Sequence, residues 1–155
     1  IHAAHKRLWL TTPYFVPTEA AMLALTNAAL RGVDVCLLVP EKSDSRVVTA
    51  AARSYFDELI TCGVKVFEYH RSMLHSKTMV VDDMVGIIGT ANFDNRSFRL
   101  NYEVCAVVYG EAFAAKLEQQ FVEDLKHARR VGYARPQTFW QRLGDSAARL
   151  MSPLL

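Results

Sequence analysis

Apolar and polar positions follow two regimes along this chain of 155 residues. Up to residue 69, short apolar runs alternate with stretches of helical period. Arg7 to Thr12 (RLWLTT) predicts a strand ended by Pro13, and Pro13 and Pro17 stiffen a loop through Tyr14, Phe15 and Val16. Thr18 suits a helix N-cap, with Glu19 at the helix's positive end. Met22, Leu25 and Ala29 then recur at helical spacing until Gly32 closes the element. Asp34 to Val39 (DVCLLV) predicts an apolar strand closed by Pro40, followed by a polar loop, Glu41 to Ser45. A second helix presents Val48, Ala51, Tyr55, Phe56 and Leu59 on one face and is closed by Gly63; Lys65 to Tyr69 is the next strand. This βαβαβ order marks a parallel sheet covered by helices.

From His70 the pattern changes. Thr78 to Val81 and Val85 to Ile88 predict two strands joined as a hairpin through Asp82-Asp83-Met84. Tyr102 to Tyr109 (YEVCAVVY) predicts a further strand, and Phe113, Leu117, Phe121 and Leu125 form the stripe of a third helix. Pro136 and Pro153 bracket a segment with Phe139, Trp140, Leu143 and Leu150, read as a small packing helix or, alternatively, a membrane-surface element. The expectation is one α/β domain over residues 1–155, a mixed β-sheet flanked by helices on both faces. Residues 130–155 form a C-terminal extension packed on it.

Composition narrows this only a little. With 51% apolar and 22% charged residues the chain has the makeup of one globular domain with a real core. A net charge of +2 permits an anionic partner without indicating one. Cys36, Cys62 and Cys105 are odd in number and widely spaced, with no CxxC. That argues against a disulfide framework and a zinc site and favours buried thiols in a reducing compartment. Cys36 and Cys105, inside apolar strand runs, are expected in the core. No apolar run approaches the ~18 residues of a membrane span, and no signal peptide is present. The chain opens on Ile1 with a strand close behind, so it reads as a piece of a longer protein.

Polar residues of catalytic type interrupt the strand pattern at one place, His75-Ser-Lys77 to Asp82, followed by Gly89-Thr90-Ala91-Asn92. Two apart on an extended segment, His75 and Lys77 point to the same side. With Asp83 and Met84 as the turn residues, pairing places Asn92 opposite His75 and Thr90 opposite Lys77. Gly89, lacking a side chain, is expected to let a ligand approach the backbone. Lysine and asparagine suit the non-bridging oxygens of a phosphate, and histidine serves as nucleophile or as acid and base near neutral pH. Glu103, an acid at the head of an apolar run, is the candidate to orient His75; Asp82 is positioned to bond backbone or Thr90. A His-x-Lys pair alone marks a solvated strand face; the returning GTAN segment is what lifts this set above it.

The pattern His75-x-Lys77-x4-Asp82-x6-Gly89-Thr90-x-Asn92 resembles the signature of the phospholipase D superfamily, with Thr90 where that family usually has Ser. The flanks resemble bacterial cardiolipin synthases: TPYFVP ending at Pro17, LLVPEKSDS from Leu37 to Ser45, HSKTMVVDD from His75 to Asp83 and GTANFDNRSFRLNYEV from Gly89 to Val104. The resemblance implies a phospholipase D-like half domain, the second half of an enzyme that carries two such motifs. It implies a phosphatidyltransferase that joins two phosphatidylglycerol molecules into cardiolipin and glycerol through a phosphohistidine. The implied catalytic residues are His75, Lys77, Asp82 and Glu103, and the implied phosphate-binding residues Lys77, Thr90 and Asn92. No metal or other cofactor is implied. The implied partners are phosphatidylglycerol, a membrane surface reached through the parent protein, and a missing N-terminal half or a second copy; nucleic acid is not expected. The implied location is the bacterial inner membrane, with this domain on its cytoplasmic side. The alternatives are a homodimeric superfamily nuclease or phosphodiesterase, and a non-catalytic module that binds phosphate or lipid.

The remaining residues divide less sharply. Tyr14 and Phe15 line the cleft or belong to the core. Ser43, Asp44 and Ser45 form a ligand loop or cap a helix. Arg96 and Arg99 meet anionic headgroups or neutralising partners. His2, His5, His70, His127, Trp9 and Trp140 are read as surface or packing residues.

Overall fold

The computed structural model describes residues 1–132 together with residues 144 and 149. The first half of the chain runs β1 (Arg7–Thr11), β2 (Phe15–Val16), α1 (Glu19–Leu30), β3 (Asp34–Pro40), α2 (Arg46–Ser54), α3 (Phe56–Thr61) and β4 (Lys65–Tyr69). The second half runs β5 (Thr78–Val81), β6 (Val85–Gly89), β7 (Phe93–Asp94), α4 (Asn95–Arg99), β8 (Cys105–Tyr109), α5 (Glu111–Leu125) and β9 (Ala128–Arg130). Seven strands form the main sheet in the order β8-β6-β5-β1-β3-β4-β9. β1, β3 and β4 are mutually parallel, and β5, β6, β8 and β9 join antiparallel. The expected mixed sheet is therefore present.

Strand alternation sends successive side chains to opposite faces. Leu8, Leu10, Val35 and Leu37 pack under α1, α2 and α3 with Phe56 and Leu59. Trp9, Cys36 and Leu38 face the other way, toward Phe121 and Leu125 of α5; the rings of Trp9 and Phe121 stack at 5.1 Å. Burying a side chain such as Phe56 or Leu59 contributes about 1.5–3 kcal/mol. Thr18 caps α1 by accepting from the Ala21 amide at 3.2 Å. Gly32 and Gly63, at φ of 89° and 97°, take the left-handed conformation that ends α1 and α3.

Several expectations change. The second predicted helix breaks into α2 and α3 at Tyr55, whose amide bonds Ala52 O at 3.2 Å while its ring meets Phe15 edge-on. The loop after Pro13 contains β2, which pairs in parallel with β7 and so ties the N-terminal loop to the segment after Asn92. Residues 102–104 stay out of the predicted strand because the Glu103 carboxylate turns back to bond Thr90, Ser97 and Asn101. Cys36 is buried, and burial pushes its thiol up to about 12. Cys105 is exposed, contrary to the core role expected for it, because among the described residues β8 is an edge strand of the sheet. Trp140 and most of the 130–155 extension lie outside the described residues. Arg149 is described: it donates to Glu58 at 2.9 Å and lies over the Tyr55 ring.

The hairpin register also differs. Thr78 faces Ile88 and Val81 faces Val85, so the loop has three residues, Asp82 to Met84, and Lys77 falls opposite Gly89 rather than Thr90. Asp82 adopts φ of 53°, a conformation aspartate tolerates better than most residues. Its carboxylate accepts from the amides of His5, Lys6 and Arg7 at 2.7 to 3.1 Å. Partial burial opposes the charge, but the amides of Lys6, Arg7 and His5 together outweigh it and hold the carboxyl below its ordinary value.

A carboxyl whose folded pKa is depressed stabilises fully above the ordinary aspartate range and loses that contribution as pH falls through the folded value. Asp82→Asn is therefore expected to lower stability by about 1–2 kcal/mol at neutral pH. Urea midpoints measured at successively lower pH should converge for the two proteins; a constant gap would show that the charge is not what matters.

Candidate active site

The C-terminal ends of the parallel strands β1 and β3, the residues before β5 and the end of β6 all meet at one edge of the sheet. In sheets of this kind ligands gather at that edge. Lys77 precedes β5; its carbonyl accepts from the Gly89 amide at 3.2 Å, and its ammonium donates to the His75 carbonyl at 3.1 Å. Burial lowers the Lys77 pKa, while Glu103 and Asp94 push the other way. His75 is exposed, and with Lys77, Ile88 and Thr90 it lines an open cleft of about 650 Å³.

Tyr14 bounds His75 on one side, the two rings edge-on at 6.0 Å and 85°. The Tyr14 hydroxyl donates to both oxygens of Asp44 at 2.8 and 2.9 Å. Burial, and then the Asp44 carboxylate, raise the Tyr14 pKa and keep the phenol protonated. Thr12 secures this loop, donating to Tyr14 O at 2.9 Å and accepting from the Phe93 amide at 3.0 Å. Of the two readings of the Ser43 to Ser45 loop, helix capping is the one the structure shows. Ser45 caps α2 through the Val48 amide, and Asp44 reaches the cleft through Tyr14.

On the other side Thr90 and Glu103 form a single unit. The Thr90 hydroxyl donates to Glu103 and accepts from the Val104 amide at 2.9 Å. Asn101 and Ser97 donate to the other carboxylate oxygen at 3.0 and 3.1 Å. Thr90, Asn101 and Ser97, with the nearby Lys77 charge, hold the Glu103 carboxyl below its ordinary value. No hydrogen bond joins Glu103 to His75. Asn92 lies beside Lys77 in a recess under the hairpin, and its backbone amide donates to the Ser97 hydroxyl at 3.0 Å.

The structure thus brings His75, Lys77, Thr90, Asn92 and Glu103 to one edge and leaves Asp82 at the other end of the hairpin, bonded to backbone. Gly89 has a different use from the one expected: a Cβ there would lie 2.4 Å from Val104 O, so the backbone leading into β8 occupies the space read as a ligand's. Ser97 and Asn101 escaped the sequence reading, although Asp94-x-x-Ser97 has the spacing of a helix cap, realised as Asp94 accepting from the Ser97 amide at 2.7 Å. Arg96 and Arg99 stand exposed on α4. Among the described residues no group of three or more His, Cys, Asp or Glu side chains is placed to hold a metal ion; the positive charge at the cleft is that of Lys77.

Thr90→Val removes the first of the donors that lower the Glu103 pKa. A carbon-13 titration should show the Glu103 carboxyl moving up toward the ordinary glutamate range in that variant and staying low in Thr90→Ser. An unmoved titration in Thr90→Val would assign the shift to Asn101 and Ser97 alone.

A family model described as cardiolipin synthase, phospholipase D-like domain, matches residues 1–125. The chain is 45% identical to a cardiolipin synthase of Alkalihalophilus pseudofirmus and 47% identical to a cardiolipin synthase A of Pseudomonas fluorescens, in each case over 100% of its own length. It covers 31% and 33% of those proteins, so it spans about a third of the curated relatives it matches. Among solved structures, Nuc of Salmonella typhimurium, a phospholipase D family member, superposes with a TM-score of 0.74 at 21% identity over 84% of both chains. A phosphatidylserine synthase of Haemophilus influenzae superposes with a TM-score of 0.76 at 17% identity, over 99% of this chain and 42% of the other. Those two likenesses concern the fold; the sequence matches together with the cleft make this chain a member of the phospholipase D-like domain family of the cardiolipin synthases.

Proposed function

We propose that this chain is one catalytic half of a phosphatidyltransferase of the cardiolipin synthase type, transferring the phosphatidyl group of one phosphatidylglycerol to a hydroxyl of another. The observation that carries the reading is the cleft in which His75, Lys77 and Thr90 meet, with Asn92 and Glu103 beside it. An ammonium and an amide are suited to the non-bridging oxygens of a phosphodiester. An exposed imidazole is suited to attack phosphorus or to move a proton.

The chemistry needs two such groups. One motif histidine, His75 or its counterpart in a second half, attacks phosphorus; the P–N bond forms as the P–O bond to the leaving glycerol breaks, and the other histidine gives that alcohol its proton. In the second step the acceptor hydroxyl loses its proton to the same group and displaces the first histidine, so glycerol leaves and cardiolipin forms with no net change in protons. The partner half, on the same polypeptide or in a second copy, is proposed to sit against the uncovered rim. There Ile88, Tyr102, Val104, Val107 and Tyr109 expose apolar surface beside the cleft. No helix among the described residues is long and apolar enough to cross a membrane. Attachment to the cytoplasmic face of the bacterial inner membrane is assigned to the parent protein.

The intact enzyme is expected to convert phosphatidylglycerol to cardiolipin and glycerol without added metal. His75→Ala and Lys77→Ala should each reduce turnover by about 10²–10⁴-fold while leaving the circular dichroism spectrum and melting curve intact. Wild-type rates in either variant would remove that residue from the mechanism. Cleavage of DNA with no lipid product would replace this reading with that of a homodimeric nuclease.

A further inference from the structure

A second recess, of about 320 Å³, opens on the far side of Asn92 and Tyr14. Val16 and Val48 form its apolar wall, and Asp94, Arg96 and Asn101 complete it. Its polar groups are left with capacity to spare. Asp94 is buried, 5% exposed, yet only its Oδ1 is bonded, to the Ser97 amide; Oδ2 accepts no hydrogen bond from a described residue. The buried Oδ1 of Asn92 has no partner. Asn101 donates through Nδ2 to Glu103, which leaves its carbonyl oxygen unused. The Tyr14 hydroxyl is already committed to Asp44.

Of these acceptors the Asn92 Oδ1 is the one sealed from water, and a buried acceptor without a donor is costly and ordinarily finds a partner; Asn101 is exposed, so its carbonyl oxygen offers itself to the recess from the rim. Three oxygen acceptors beside one guanidinium want a ligand rich in hydroxyl donors. An acyl chain would strand the Asp94 charge, and a second phosphate would meet that charge as a repulsion. The location fixes which part of a substrate reaches here. Asn92 is shared with the recess that Lys77 lines, and Tyr14 is the residue whose ring meets His75. The alcohol part of a phosphodiester held at His75 and Lys77 would pass between these two side chains.

We infer that this recess is a subsite for a small uncharged polyol, the glycerol portion of the donor headgroup or of the acceptor. The inference rests on the phosphatidyl-transfer reading and adds to it a place where hydroxyl-rich alcohols are preferred over aliphatic ones.

The test uses the intact enzyme with phosphatidylglycerol vesicles and two soluble acceptors at equal concentration, isotopically labelled glycerol and 1-propanol. The readout is the ratio of labelled phosphatidylglycerol to phosphatidylpropanol. Val48→Phe fills the recess from its apolar wall and should lower that ratio by about tenfold relative to wild type. An independent measurement needs no variant. In the 155-residue chain, glycerol should shift the side-chain amide resonances of Asn92 and Asn101 saturably, and 1-propanol should not. An unchanged product ratio in folded Val48→Phe, or equal responses to the two alcohols, would overturn the inference and leave the transfer reading standing. Absence of both lipid products from the wild type would overturn the two together.

Discussion

The rest of the site depends on a turn that contains none of it. Asp82 holds φ of 53° at the head of a three-residue loop while its carboxylate gathers the amides of residues 5 to 7. The loop length sets the pairing of β5 with β6, and the amide contacts bind that hairpin to the lead-in of β1. At the opposite end the same register puts Lys77 against Gly89, and only glycine there admits the backbone before β8 at 2.4 Å from a would-be Cβ. A shift of one residue would turn every side chain of the hairpin to the other face. The aspartate of the motif thus sets the geometry of the hairpin.

Beyond the hairpin, the carboxylate of Glu103 organises what the sheet leaves loose. It accepts from a residue of the hairpin's return, a residue of α4 and a residue of the approach to β8. One ionised group thereby ties α4 to the β6–β8 pairing that ends at Gly89 and Cys105. Its bonds are spent on Thr90, Ser97 and Asn101, and its charge acts on the Lys77 ammonium.

How much of this was legible in the residues varies with the range of the interaction. Elements with a strong local signal were readable: Met22, Leu25 and Ala29 recur at helical spacing, and Asp34 to Val39 is a short unbroken apolar run, buried on both faces. Thr18 as a cap and Gly32 as a stop were readable for the same reason. The pairing of His75 and Lys77 followed from a spacing of two. What was hidden depended on partners far along the chain. β2 exists because Phe15 finds Phe93, and residues 102–104 leave the predicted strand because Glu103 finds Thr90 and Ser97. Cys105 looked like core because its neighbours are apolar; nothing in a strand's own letters says which strand ends a sheet. Asp82 was assigned to catalysis through the family resemblance, while the bond to backbone that its turn position suggested is the one it makes.

The uncovered margin of β8 carries a lesson about handling the polypeptide itself. A strand with no outer neighbour among the described residues, with Val104, Val107 and Tyr109 exposed along it, is a template that accepts whatever strand reaches it first. Where a matching half is tethered nearby, its high effective concentration decides that competition. Where none is tethered, crowding decides it instead, so dilution and low temperature become the conditions under which this domain stays a discrete molecule.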